Sequence, residues 1–399
     1  MKIALVMTQS LDSPSGLGRY GPLSREMAQL GHSVEVLALH YDWAKLAHKS
    51  FQEAGVSVTY AGQMHVRKSG SHKTYFGPGQ LLWVSFTSAL KLAQALAHSR
   101  AEIIQLCKPQ PINALAVKLG RRGRPIYCDC DDYEAQTNRF SSEWQRRVVT
   151  HFEDGVAKYA VGLTVNTHFS FERYATLGFP TQRIKYVPNG VERARFAHTT
   201  NGALLRNEWQ IAESDPVIVY VGTLGLLSHP VDLLLTAFAQ VIQTVPNARL
   251  MLVGGGEDFD RVQNLARQLN LERQTIFTGR VAPDKVPDYY ALATVTVDPV
   301  QDDLIAQARS PLKVLESLAS GIPVVTGDVG DRRELLQSGQ LGILVKPGDS
   351  RALADGLLTA LQQPALRNQL AQAALAQRER WYWDQLVHDF VQVYEAGCD

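Results

Sequence analysis

Short apolar runs recur along the chain at intervals that leave room for a helix between neighbours. In the first half they fall at residues 2–7, 34–39, 102–106, 126–130, 163–166 and 184–187. In the second they fall at 217–221, 249–253, 275–278, 295–298, 323–326 and 342–345. Runs that are apolar throughout belong to strands buried on both faces, as in parallel sheets covered by helices. Helical spacing of apolar positions is clearest at 24–30, 85–97, 231–244, 259–269 and 352–361. Two such sets predict two doubly wound α/β domains. The seam falls near residues 187–216, a polar stretch that includes Ala197-His198-Thr199-Thr200-Asn201-Gly202. The expected division is 1–195 and 196–379, with the aromatic-rich 380–399 forming a helix that returns to the first domain.

A chain of 399 residues is long enough for two domains of this kind. A net charge of +1 gives no whole-chain signal for nucleic acid, and none is expected as a partner. No apolar run reaches membrane-spanning length, and residues 1–7 read as a buried strand rather than a signal-peptide core. Cys107, Cys128, Cys130 and Cys398 lack zinc-ligand spacing and do not form a disulfide framework. A reduced, cytoplasmic setting is expected.

Gly16-Leu17-Gly18-Arg19-Tyr20-Gly21 spells the dinucleotide-binding pattern G-x-G-x-x-G. That fingerprint needs a strand running almost directly into the first glycine. Here Thr8-Gln9-Ser10-Leu11-Asp12-Ser13-Pro14-Ser15 intervenes, and Glu35 sits inside the next strand instead of at its end. The segment is expected to be a long loop leading into a helix, carrying acceptor or phosphate contacts.

The most informative stretch is Ala308-Arg309-Ser310-Pro311-Leu312-Lys313-Val314-Leu315-Glu316. It sets two cations and free backbone N–H groups at the start of a helix, where phosphate binds well. Glu316 follows Lys313 on the same helix face and is suited to accept hydrogen bonds from sugar hydroxyls. This is the outline of a nucleotide-sugar site.

Several further motifs follow in order. They are Ser15-Gly16-Leu17-Gly18, Val187-Pro188-Asn189-Gly190-Val191, Tyr220-Val221-Gly222, Val253-Gly254-Gly255-Gly256-Glu257 and Phe277-Thr278-Gly279-Arg280-Val281. After them come Ser310-Pro311-Leu312-Lys313-Val314-Leu315-Glu316 and Gly321-Ile322-Pro323-Val324-Val325. Together they resemble glycosyltransferase family 4, the retaining sugar transferases with the GT-B fold, in its S-P-x-K-x-x-E form. The resemblance implies two Rossmann-like parallel-sheet domains facing a cleft, with a nucleotide-sugar donor in the second and a hydroxyl acceptor in the first. It implies retention at the anomeric carbon and no metal or other cofactor.

Carried onto this chain, the resemblance assigns donor contacts to Gly16, Gly18, Gly222, Thr223, His229, Gly254, Gly279, Arg280, Val281, Ser310, Pro311, Leu312 and Glu316. The leaving diphosphate would be stabilised by Arg309 and Lys313. Thr223 stands where most members carry an arginine, His229 lies near a usual lysine, and Ala308 replaces the first of two glutamates. Where a histidine usually follows the strand at the back of the acceptor domain, this chain has Asp129-Cys130-Asp131-Asp132-Tyr133-Glu134. The four carboxylates are expected to form one cluster, with Asp131 or Asp132 orienting acceptor or sugar; a solvated acidic turn and, less favoured for want of a histidine, a metal site are the alternatives. Arg332 and Arg333 read as ion-paired surface residues, and Asp298, Asp302 and Asp303 as an acidic loop turned away from phosphate or facing the acceptor.

These departures keep other readings open. One is a nucleotide-sugar epimerase or sugar phosphorylase on the same fold, another a catalytically silent nucleotide-sugar binder. The basic segment from Arg67 to Phe76, followed by Leu81, Leu82, Trp83 and Phe86, suits peripheral contact with the inner membrane face.

Overall fold

The structure, a computed structural model, describes residues 1–69, 72–140, 142–197 and 202–395. The chain divides into two compact units. One comprises Met1–Asn189, Ala308–Ser310 and the chain from Trp383 onward; the other comprises Gly190–Gln307 and Pro311–Tyr382.

The first unit is built on strands β1 (Lys2–Val6), β2 (Ser33–His40), β3 (Ser50–Glu53), β4 (Val56–Gln63), β5 (Val66–Ser69), β6 (His72–Tyr75), β7 (Ile103–Cys107), β8 (Ile126–Cys130), β9 (Gly162–Val165) and β10 (Ile184–Tyr186). Eight of them form one sheet in the order β10-β9-β8-β7-β1-β2-β4-β3, while β5 and β6 pair separately. Within the large sheet every pairing is parallel except the edge pair β3·β4. Strand β1 shows why the run is apolar throughout. Ala4 and Val6 pack into the core on one face, and Ile3 and Leu5 into the core on the other. That second face is covered by the helix Trp383–Val391, through Trp383, Leu386, Val387 and Phe390. Burying each such side chain contributes roughly 1.5–3 kcal/mol.

Strand β4 escapes the apolar-run criterion. Its sequence Val-Ser-Val-Thr-Tyr-Ala-Gly-Gln alternates buried and half-buried positions near the sheet edge, where one face needs no apolar cover. The hairpin β5·β6 falls in the basic segment, of which Gly70 and Ser71 lie outside the described residues.

The second unit holds β11 (Val217–Val221), β12 (Arg249–Val253), β13 (Thr275–Gly279), β14 (Val295–Asp298), β15 (Val324–Gly327) and β16 (Ile343–Val345). They form a parallel sheet in the order β13-β12-β11-β14-β15-β16. The strand order reverses between β11 and β14, and ligands of open α/β sheets bind beyond the strand carboxyl ends at such a point. The helix Leu312–Ser320 buries Val314, Leu315, Leu318 and Ala319 and ends at Gly321. Among the described residues, no helix is long and apolar enough to cross a membrane.

Candidate functional site

At the carboxyl ends of β11, β12 and β13, three glycine turns interlock. The Gly222 N–H donates to the Val253 carbonyl (2.9 Å), the Gly254 N–H to Gly279 (2.9 Å) and the Leu224 N–H to Gly255 (3.1 Å). Gly254 has φ +140°, and a Cβ there would lie 2.0 Å from the Gly222 carbonyl oxygen. Only glycine permits that approach. Gly222, Thr223, Gly254 and Gly279, all singled out in the sequence, are therefore brought to one end of the second sheet. Exposed Arg280 and half-buried Val281 continue from Gly279, with Val281 packed on the cluster that holds Met251 and Val253. His229 precedes the helix Val231–Thr244, its Nδ1 3.0 Å from the Ser228 hydroxyl.

Lys313 reaches the same place from the helix Leu312–Ser320. Its Nζ lies 3.1 Å from Asp298 Oδ1 and 5.3 Å from the Tyr220 ring centroid. Its Cε would stand 3.2 Å from a Cβ on Gly222. Asp298 ends β14 and is almost fully buried. Its other oxygen accepts from Arg332 Nε at 2.9 Å and from the Thr326 hydroxyl at 3.1 Å. Burial alone would raise the Asp298 carboxyl; Lys313 and Arg332 outweigh it and hold it well below the usual carboxylate range. Asp298 is paired with the two cations, and one expectation is corrected here: Arg332 is not a surface residue, being 1% exposed. Arg333 is the exposed member, paired with Asp328.

One turn beyond Lys313, Glu316 accepts a hydrogen bond from the Tyr290 hydroxyl at 2.9 Å. Burial pushes its carboxyl up, against the pull of Arg195 and Tyr290. The segment before the helix is divided. Pro311 and Leu312 belong to the second unit, while Arg309 and Ser310 fall in the first. There the Ser310 hydroxyl accepts from the Asn189 N–H and its carbonyl from Asn189 Nδ2, both at 2.9 Å.

In the first unit the four expected carboxylates do not form one cluster. Asp129 lies inside β8 with no exposure and belongs to Arg19. Arg19 donates to its two oxygens through Nε and Nη2, each at 2.7 Å. Tyr20 and Thr164 hydroxyls add bonds of 2.9 and 2.6 Å. The remaining guanidinium donors reach the Val187 and Pro188 carbonyls and Asn189 Oδ1, each at 3.2 Å. Arg19 thus ties the glycine loop to the Val-Pro-Asn segment, and it lies over Trp383 at 5.5 Å. Trp383 Nε1 donates to the Gly18 carbonyl at 3.2 Å. A Cβ on Gly16 would meet the Ser10 carbonyl at 2.4 Å, so this glycine serves the loop's packing on itself.

The other three carboxylates converge on a lysine that the motifs do not mark. Lys108 Nζ lies 3.2 Å from Asp131, 2.7 Å from Asp132 and 2.8 Å from Glu134. The lysine follows β7 with φ 63°, a left-handed conformation that costs a non-glycine residue about 1–3 kcal/mol. Asn113 Nδ2 braces the turn, donating to the Cys107 and Lys108 carbonyls at 2.8 Å each. Asp131, Asp132 and Glu134 are close enough to share a metal ion, and the Lys108 ammonium stands among them. Burial pushes the Asp131 carboxyl up to about 7, while Lys108 pulls the other way. The sequence signal for both cations is an aspartate in or just after an apolar strand, since a buried carboxylate needs a cation and hydrogen bonds.

Two family profiles match consecutive parts of the chain: "Glycosyl transferase 4-like domain" over residues 15–190 and "Glycosyl transferases group 1" over 203–377. A D-inositol 3-phosphate glycosyltransferase of Acidothermus cellulolyticus is 32% identical over 62% of this chain and 56% of its own. A GDP-mannose-dependent alpha-(1-6)-phosphatidylinositol monomannoside mannosyltransferase of Mycobacterium tuberculosis is 29% identical over 59% and 62%. The chain thus matches rather more than half the length of these curated relatives. The sucrose-phosphate synthase of Thermosynechococcus elongatus superposes with a TM-score of 0.80 at 18% identity, over 99% of this chain and 98% of that one. Anabaena HepE, solved with UDP-glucose, gives 0.73 at 20% identity, over 99% and 98%. With both profiles matched in order and the two parallel-sheet units they require, the chain belongs to glycosyltransferase family 4 and has the GT-B fold.

Proposed function

We propose that this glycosyltransferase moves a hexose, with retention at the anomeric carbon, from a UDP- or GDP-sugar to a hydroxyl of a glycan, lipid-linked or small-molecule acceptor. The observation that carries the reading is the Lys313 ammonium beside the Gly222 turn, at the switch point of the second sheet. A diphosphate leaving group gathers negative charge, and a fixed cation is the largest single means of stabilising it. On this reading Lys313 meets the diphosphate, with Arg309 and His229 as further donors and Ser310, Pro311 and Leu312 forming the helix start. Glu316 accepts from the ribose hydroxyls while Tyr290 fixes its rotamer. Gly279, Arg280 and Val281 line the base, and Gly16 and Gly18 shape the donor-side loop of the first unit.

Asp131 or Asp132 orients the acceptor hydroxyl or the transferred sugar. On this reading no metal takes part; the Lys108 ammonium lies among Asp131, Asp132 and Glu134. The acceptor is proposed to lie at a cytoplasmic membrane face. The helix Pro78–His98 exposes Leu82, Trp83, Phe86 and Leu90 on one side, at spacings of one helical turn. Exposed Arg67 nearby in sequence suits anionic lipid.

The test is release of UDP or GDP from UDP-glucose or GDP-mannose by purified protein, with the product's anomeric configuration read by NMR. Glu316→Ala and Lys313→Ala should each cut turnover; unchanged turnover in both would refute the assignment. Sedimentation with phosphatidylglycerol vesicles but not with phosphatidylcholine vesicles, lost in Leu82→Ser/Phe86→Ser, would support the membrane contact.

A further inference from the structure

Lys313, Asp298 and Arg332 hold one carboxylate between two cations below the second unit's glycine turns. Asp298 is 2% exposed and Arg332 1%. Arg332 is locked: Nη1 also donates to the Ala306 carbonyl at 3.1 Å and the Val329 carbonyl at 3.4 Å. Lys313 has the opposite character. Its ammonium pairs with Asp298, its side chain is 12% exposed, and four flexible methylenes carry the charge. A buried Asp–Lys pair alone would be neutral and self-satisfied. The arginine adds a charge, leaving the group at +1, and keeps the carboxylate satisfied if the lysine departs.

We propose that Asp298 and Arg332 are positioning residues for Lys313: Asp298 parks the ammonium beside the Gly222 turn, and Arg332 retains the carboxylate when a diphosphate takes the lysine over. The inference rests on reading Lys313 as a phosphate ligand, and it adds a hand-off between two anions. Its energetic basis is simple. Pulling a cation from a buried carboxylate with no second partner leaves an uncompensated charge, which is strongly unfavourable. With Arg332 and the Thr326 hydroxyl still in place, that penalty is largely removed. No bond is made or broken; the ammonium exchanges one oxygen for another.

The groups that face Asp298 are Lys313, Arg332 and Thr326, with Tyr290 close by. Tyr290 supplies no positive charge, so removing the arginine leaves Asp298 dependent on the lysine. UDP or GDP binding to Arg332→Met should then proceed only as Asp298 takes up a proton.

The experiment is calorimetric titration of the full chain with UDP and with GDP, at pH 6 and 8 and in buffers of different ionisation enthalpy. Lys313→Met should weaken binding of the preferred nucleotide about tenfold or more. Arg332→Met should weaken it on the order of 10- to 100-fold at pH 8, recover part at pH 6, and take up protons beyond the wild-type amount. Asp298→Asn/Arg332→Met removes the carboxylate and its keeper together. It should bind more tightly than Arg332→Met at pH 8 yet more weakly than wild type, since the lysine has lost its parking carboxylate, with no extra proton.

Wild-type affinity and proton uptake in Arg332→Met, beside weakened Lys313→Met, would overturn the hand-off and leave the phosphate reading standing. Wild-type affinity in Lys313→Met would overturn both. If Arg332→Met does not fold, the double variant decides. Binding as weak as Lys313→Met would refute the proposal, because the lysine would then need its carboxylate throughout.

Discussion

Each unit buries a lysine against carboxylates, and the two sums have opposite signs. In the first, one ammonium is shared by Asp131, Asp132 and Glu134, so negative groups are in excess. In the second, one carboxylate is shared by Lys313 and Arg332, so positive groups are in excess. An unbalanced buried cluster favours a ligand that restores the balance. The first suits hydroxyl donors and tolerates a proton, as the raised Asp131 carboxyl indicates. The second suits phosphate. Arg19 and Asp129 form the balanced case: every donor and acceptor is used, and the pair holds the fold without reacting. On the proposed function, excess charge, more than the presence of charge, distinguishes the two working clusters from the structural one.

Removing the two lysines should break this comparison most visibly. Lys108→Met leaves three carboxylates with no cation, a loss of about 3–5 kcal/mol by the usual cost of orphaning a buried charge. Urea denaturation should show it at pH 8 and show less at pH 5. The sign follows because the lysine holds Glu134 below its ordinary value. Without it the carboxyls titrate higher in the folded state than in the unfolded one, so protonation restores stability as pH falls. Lys313→Met should behave differently, since Asp298 keeps Arg332. Its stability should change by less than about 1 kcal/mol. Turnover should fall about 10²–10³-fold, as for loss of one preorganised electrostatic donor. Equal destabilisation by both variants would erase the distinction.

Gly254→Ala probes the shape around the second cluster without touching its charge. The added methyl meets the Gly222 carbonyl at 2.0 Å, so the turn must shift. A loss of about 1–3 kcal/mol in stability and weaker UDP or GDP binding are expected. The smallest effect is a pH profile. With Asp131 acting as a carboxylate near 7, kcat/KM should rise with pH and level off above that value. One pH unit below it the loss is about tenfold, and Asp131→Asn should flatten the curve. A flat wild-type profile would remove Asp131 from the acceptor role.

The doubly wound architecture was legible because a parallel sheet buries both faces of its strands. Apolar runs such as 217–221 and 249–253 declare that directly. The glycine turns and Lys313 were legible as spaced motifs. Strand β4 was not, since its half-buried edge position allows serine, threonine and glycine in alternation. The burial of Arg332 and the roles of Arg19 and Lys108 were not legible either. Local sequence shows a charge but not the distant carboxylate that makes its burial tolerable; Arg19 and Asp129 lie 110 residues apart. A usable hint was the aspartate within the apolar run 126–130, which demands a cation without naming it.

The covering of the first sheet by Trp383, Leu386, Val387 and Phe390 bears on how the protein is made. A ribosome delivers those four side chains nearly four hundred codons after β1. Until then Ile3 and Leu5 lack part of their cover, however complete the strands may be. The second unit, by contrast, has its whole chain once Tyr382 has emerged. The order of synthesis and the order of completion are therefore inverted, and a nascent chain stalled between residues 190 and 382 should be the species that chaperones hold longest.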